Sequence, residues 1–234
     1  LEQILERSPQ YQLAWQVYLN AEARRWSILY DAGTGAEGSL AARLSPSTEE
    51  REQATARFRA LLATAQERLP NVALIRARIG HFAQIIGELD WSLAELQQAA
   101  EQEPDSAFIQ ALLAGTYFQR CEFEQAYASA ERPVRNDPSN YFADAWMARC
   151  AAALQKYEAM HYAECAVERA PHWWLAQLSL GEAALLHNDT RKAQAALALA
   201  YSIYPTSWHT RIAHADQYLY HGEFSVAAQV LEQA

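Results

Sequence analysis

Small and apolar residues return along most of this chain with one beat, and the beat predicts paired helices. Gly80, Ala114, Ala148, Gly181 and Ala215 form a column near the middle of a first helix. Ser92, Ala126, Ala159, Ala193 and Ala227 form a second column, early in a second helix, and Ala99, Pro133, Ala166, Ala200 and Ala234 form a third. Prolines punctuate the pattern at Pro70, Pro104, Pro138, Pro171 and Pro205, at intervals of 34, 34, 33 and 34 residues. Antiparallel helices approach closely only where side chains are small, so each column marks a crossing. Leu96, Leu197, Leu231, Tyr117 and Tyr218 then fill the space between crossings. The proline stops the second helix because it cannot continue the hydrogen-bond ladder.

Turn chemistry agrees with the beat. Gly87, Asn188 and Gly222 fall between the paired helices, where a left-handed residue ends a helix. Ser106, Asn140 and Ser207 are placed to cap the helices that follow. The single short interval is local: the first-helix column is in register at Ala148, and the second has slipped by Ala159. One residue is therefore missing from the turn near Leu154–Gln155–Lys156. Pro133, inside a second helix, is expected to end or kink it near Arg132.

Before Pro70 the pattern loosens. Leu1, Ile4 and Pro9 fit the end of a preceding second helix, and "YQLAWQVYLNAEARRWSILY" reads as one long amphipathic helix. Pro9 and Pro70 lie 61 residues apart, one repeat plus about 27 extra. A further helix begins near Ser45–Pro46 or at a capping box formed by Ser47 and Glu50. The expected organisation is therefore 1–72, divergent helical repeats with a long loop at about 31–46, followed by tandem units at 73–106, 107–140, 141–173, 174–207 and a truncated 208–234. The chain begins and ends in what reads as mid-helix, which suggests a piece of a longer protein.

Composition narrows the function classes. Hydrophobic residues make up 51%, with only 8 glycines and 8 prolines, which suits many packed helices. No run of apolar residues is long enough to span a bilayer, so membrane insertion is not expected. The net charge of −9 argues against nucleic acid as a partner and favours a basic one. Cys121, Cys150 and Cys165 show no metal-type spacing, and a reducing, cytoplasmic setting is slightly favoured.

The pattern Gly80…Ala83…Gly87…Leu96…Ala99…Pro104, with its copies, resembles the tetratricopeptide repeat (TPR) over about residues 73–234. The resemblance implies an all-α fold: an α-α superhelix, a right-handed solenoid of antiparallel helix pairs with about 13 helices. Departures from the repeat are the absence of its early tryptophan at Arg76, Gln110 and Arg211, and Pro133 in place of alanine.

In similar proteins the first helices line a concave groove that holds a peptide or protein. Carried over, the lining is His81 and Gln84, then Ala111 and Phe118, then Phe142 and Arg149. It continues with Leu178, Glu182 and Leu185, and with His209, Ile212, Asp216 and Tyr220. The lysine–asparagine set that grips acidic chaperone tails is missing, and the C-terminal end of this lining is acidic. The resemblance thus implies a noncatalytic interaction scaffold for a partner with apolar anchors and basic character. Two alternatives remain: the docking portion of a larger enzyme, such as a repeat-bearing glycosyl- or sulfotransferase, and a self-assembly module.

Other chemistry is thinner. Gly33, Gly35 and Gly38 match G-x-G-x-x-G, but a helix precedes them where a dinucleotide site needs a strand. The related phosphate loop needs a lysine, and Ser39 follows Gly38 directly, so these glycines read as a mobile connecting loop. His161 with Cys165, and His214 with His221, have helical spacing but no evident third ligand. No cofactor, metal or catalytic residue is expected. Trp173–Trp174 reads first as packing between units, with a partner anchor as the alternative.

Overall fold

The computed structural model describes residue 5 and residues 7–31, 47–136, 139–204, 208–220 and 222–232, with the side chains of 24, 27–31, 208, 220 and 232 left aside. All regular structure among these residues is helical. The helices are α1 (Gln12–Asp31), α2 (Thr48–Arg68), α3 (Ala73–Ile85), α4 (Leu89–Gln102), α5 (Ala107–Gln119), α6 (Phe123–Asn136), α7 (Tyr141–Ala153), α8 (Ala159–Arg169), α9 (Trp174–Leu186), α10 (Thr190–Ile203), α11 (Trp208–Tyr220) and α12 (Phe224–Glu232). Twelve helices among the described residues stand close to the expected thirteen. The chain divides into two compact units, Leu1–Gln102 and Glu103–Ala234.

In the second unit the helices pair as α5–α6, α7–α8, α9–α10 and α11–α12. The first helices α5, α7, α9 and α11 also pack one on the next, whereas the second helices approach one another far less. A stack that is tighter along one row than the other curves toward the tighter row, which puts the first helices on the inner face. The small-residue columns lie where the sequence placed them. Ala126, Ala159, Ala193 and Ala227 are all buried, as are Ala114, Ala148, Gly181 and Ala215. Space at the crossing is real: a Cβ built on Gly181 would stand 2.3 Å from Leu197 Cγ. Leu197 is fully buried there, but Leu231 is 41% exposed, because no later helix among the described residues covers it.

Two sequence readings are sharpened. The left-handed turn position is held by Gly87, Cys121, Gln155, Asn188 and Gly222, all at positive φ. Cys121 and Gln155 carry no sequence signal for that conformation, so the turn geometry overrides residue preference there. Because Gln155 is still in register, the missing residue falls after it. Accordingly α8 starts four residues beyond its left-handed turn, where α4, α6, α10 and α12 start two beyond theirs.

Of the two outcomes expected at Pro133, an end or a kink, the first is overturned. α6 does not end near Arg132 but runs on to Asn136, with Pro133 buried inside it. Pro133 occupies the packed slot that Ala166 and Ala200 fill in later repeats, and only one further turn has to follow it. Burial in that slot holds a helix that propensity alone would stop. Of the proposed caps, Asn140 accepts from Ala143 N at 3.2 Å, whereas Ser106 makes no side-chain cap bond. Ser207 lies outside the described residues, as do Pro138, Pro205, Ala234 and the loop that holds Gly33, Gly35 and Gly38.

The first unit holds α1–α4, with α3–α4 repeating the close pairing and α1 packed on α2. α2 opens on the capping box: Ser47 Oγ accepts from Glu50 N at 3.1 Å, and the Glu50 carboxylate accepts from Ser47 N at 2.7 Å. The core is aromatic, with Trp26 stacked on Phe58 at 5.5 Å and Phe82 edge-on to both.

A bond absent from the sequence reading recurs in the irregular unit and the regular one. Trp15 Nε1 donates to the Pro9 carbonyl at 2.7 Å. Gln110 and Gln177 donate in the same way to the carbonyls of Pro104 and Pro171, at 2.9 and 2.7 Å. Each donor lies six residues after its proline and locks the loop onto the start of a first helix. Trp15 thus stands where a repeat carries its early tryptophan, and at Gln110 and Gln177 glutamine makes the same hydrogen bond.

Candidate functional site

The inner face of the second unit gathers side chains from α5, α7, α9 and α11. Arg149, one turn before the end of α7, is 3% exposed. Its Nε and Nη2 donate to the two carboxylate oxygens of Glu182 on α9, at 2.8 and 3.0 Å. The guanidinium lies over the Phe118 ring of α5 at 4.3 Å and the Trp146 ring at 5.2 Å. A planar cation on two aromatic faces, forked onto a carboxylate, is a rigid arrangement that a lysine would not reproduce.

The charges near this fork do not balance. Burial, and then the Arg149 charge, hold His209 near a pKa of about 2, so it is neutral at ordinary pH. Arg149 neutralises Glu182, and Asp216 on α11 remains as an exposed carboxylate. Burial, and then the Glu182 charge, push Asp216 up from its ordinary value. One negative charge is therefore left over on this face. Exposed apolar side chains flank it, with Leu185 one turn beyond Glu182 and Ile212 one turn before Asp216.

The expected lining divides into three groups. Phe118, Phe142, Glu182, Leu185, His209, Ile212 and Asp216 are half-buried or exposed on the first helices of the second unit. Ala111 and Leu178 are wholly buried in the core cluster, so they support the face from beneath and offer nothing to a ligand. Arg149 is buried too and acts through Glu182. His81 and Gln84 belong to α3 of the first unit, where burial, and then Arg78, lower His81 to about 4. Gln84 is buried, and the Tyr220 side chain lies outside the described residues. The sequence reading missed Trp146; its spacing from Phe142 and Arg149, four and three residues, places all three along one helical face.

The remaining candidates resolve into packing. Trp173 stacks on Phe142 at 5.2 Å, and Trp174 lies 5.3 Å from Tyr204, so both tryptophans serve contacts within the unit. His161 Nε2 is 4.0 Å from Cys165 Sγ, with burial raising the pKa of the thiol. His214 stacks on Tyr201 at 4.5 Å, and His221 lies outside the described residues. Among the described residues no group of three or more His, Cys, Asp or Glu is arranged to hold a metal ion. None of the described helices is long and apolar enough to cross a membrane.

Comparison with solved structures gives the architecture its place. A thermophilic TPR protein of Thermus thermophilus matches with a TM-score of 0.61 and 21% identity, over 70% of this chain and 92% of that one. A tetratricopeptide repeat protein of Parabacteroides merdae matches with a TM-score of 0.55 and 19% identity, over 79% and 77%. The crystal structure of the APC/C hetero-tetramer Cut9–Hcn1 matches with a TM-score of 0.68 and 15% identity, over 98% of this chain and 41% of that one. No family model matches the sequence, and no curated protein matches it. The fold of this chain is the tetratricopeptide-repeat fold.

Proposed function

We propose that the chain is a noncatalytic scaffold that holds a peptide or protein segment on the inner face of its second unit. The segment carries a basic side chain and apolar anchors. One observation carries this reading: the Arg149–Glu182 fork neutralises Glu182 and leaves Asp216, one turn beyond the exposed Ile212 on α11, as an unneutralised carboxylate. A lysine or arginine placed against Asp216 balances the face, and Ile212 and Leu185 take apolar side chains beside it. Neither a nucleic acid nor an acidic tail supplies that complement, since both would add negative charge.

Selection from a displayed library of linear peptides tests the proposal. The expected result is enrichment of segments with a basic residue next to an aliphatic or aromatic one. In the selected peptides, affinity should fall about tenfold or more with Asp216→Asn or Phe118→Ala. Enrichment of acidic peptides, or binding indifferent to both substitutions, would overturn it.

A further inference from the structure

The first unit, taken by itself, offers a second candidate. A cavity of about 300 Å³ opens between α2 and α4, over a floor contributed by α3. Leu62, Ala63, Ile79 and Trp91 make its apolar part, and Arg59, Gln66 and Glu88 its polar edge. The volume stands at the small end of ligand cavities, too small for a folded segment and suited to one compact molecule.

The polar edge limits which molecule. Arg59 lies over the Trp91 ring at 5.3 Å and faces Glu88 at 3.7 Å, too long for a hydrogen bond. Both side chains are about half exposed, so this ion pair holds weakly and opens readily. An anionic ligand on Arg59 would leave Glu88 unpaired beside a like charge. A cationic ligand on Glu88 would do the same to Arg59. A ligand that carries both charges replaces the loose pair with two close ones and leaves neither side chain stranded.

From this geometry we infer that the cavity binds a free α-amino acid with an apolar side chain. The carboxylate sits on the Arg59 guanidinium, the ammonium on Glu88, and the side chain against Trp91, Leu62 and Ile79. Neither terminus of a peptide presents both charges on one residue, so the ligand is the free amino acid. At the same edge Gln66 Nε2 donates to both Glu95 carboxylate oxygens at 3.4 Å, so that side chain is engaged away from the Arg59–Glu88 pair.

The test is a titration of the whole chain with L-phenylalanine and L-leucine, followed by tryptophan fluorescence and by calorimetry. Saturable binding at about 1 mM or below is expected. 3-Phenylpropanoate and phenethylamine, each lacking one charge, should bind about tenfold more weakly or worse, and Arg59→Gln should weaken L-phenylalanine by a similar factor. Ala63 lines the cavity but is exposed, so Ala63→Phe fills the space without entering the core and should abolish binding while the helical circular dichroism is kept. No saturation with either amino acid would overturn the inference. Equal affinity for the singly charged analogues, or binding unchanged by Ala63→Phe, would do so as well.

Discussion

The two units hold the same helix-pair plan with different cores. In the second, alanine and glycine columns bring paired helices close, and most of the buried hydrophobic residues are alanines. In the first, Leu19 takes the place in α1 that Gly80 takes in α3, and Trp15, Trp26, Phe58 and Phe82 form an aromatic core. A repeat therefore tolerates loss of its small-residue column when aromatic volume replaces close contact. The chemistry differs in the same sense. The second unit arrays charges across successive first helices, whereas the first opens an apolar cavity between second helices.

The largest effect is expected where the aromatic core is unsupported by repetition. Trp26→Ala removes a ring packed on Phe58 and Phe82, together with its hydrogen bond to Thr55, and should destabilise the first unit by about 3–5 kcal/mol in urea unfolding. A loss under about 1 kcal/mol would mean that the aromatics are incidental to that unit.

In the second unit Gly181→Ala tests the crossing. Its new methyl meets Leu197 Cγ, so about 1–3 kcal/mol should be lost, even though alanine is native at the equivalent Ala148. A neutral result would break the claim that glycine sets the helix spacing there.

Acidification should act on both units. His81 and His209 are held neutral, with pKa lowered to about 4 and about 2 by burial first and then by a neighbouring arginine. The unfolded chain binds those protons near its ordinary value, so stability is full above about pH 6.5 and falls as pH drops toward the lowered values. Roughly 1–2 kcal/mol per histidine should be lost between pH 7 and 5, and His209→Gln should remove the share of the second unit.

The smallest effects concern caps. Asp189 accepts from Lys192 N at 3.0 Å, so Asp189→Ala should cost about 1 kcal/mol in thermal unfolding. Ser106→Ala should change stability by less than about 0.5 kcal/mol, because no cap bond is lost.

The fold was largely legible because helix crossings, turns and stops each demand a residue type at a fixed position. Gly80, Gly87 and Pro104 announce one repeat almost unaided. What stayed hidden was held by tertiary contact. Pro133 persists within a helix because its slot is buried, and Cys121 and Gln155 adopt a left-handed turn that neither residue prefers. The candidate site was half legible. The repeat register put Phe118, Glu182 and Asp216 on first helices, but only the packed chain shows Arg149 forked onto Glu182 and Ala111 sealed beneath the face. The cavity beside Trp91 joins residues from three helices and leaves no linear signature.

Hydrogen exchange on the chain with a library-selected basic peptide bound tests the central claim most directly. Added protection should concentrate in α7, α9 and α11, with α8 and α10 unchanged, and it should vanish in Asp216→Asn. Protection centred on the second helices, or protection that survives Asp216→Asn, would contradict the assignment of the inner face as the binding surface.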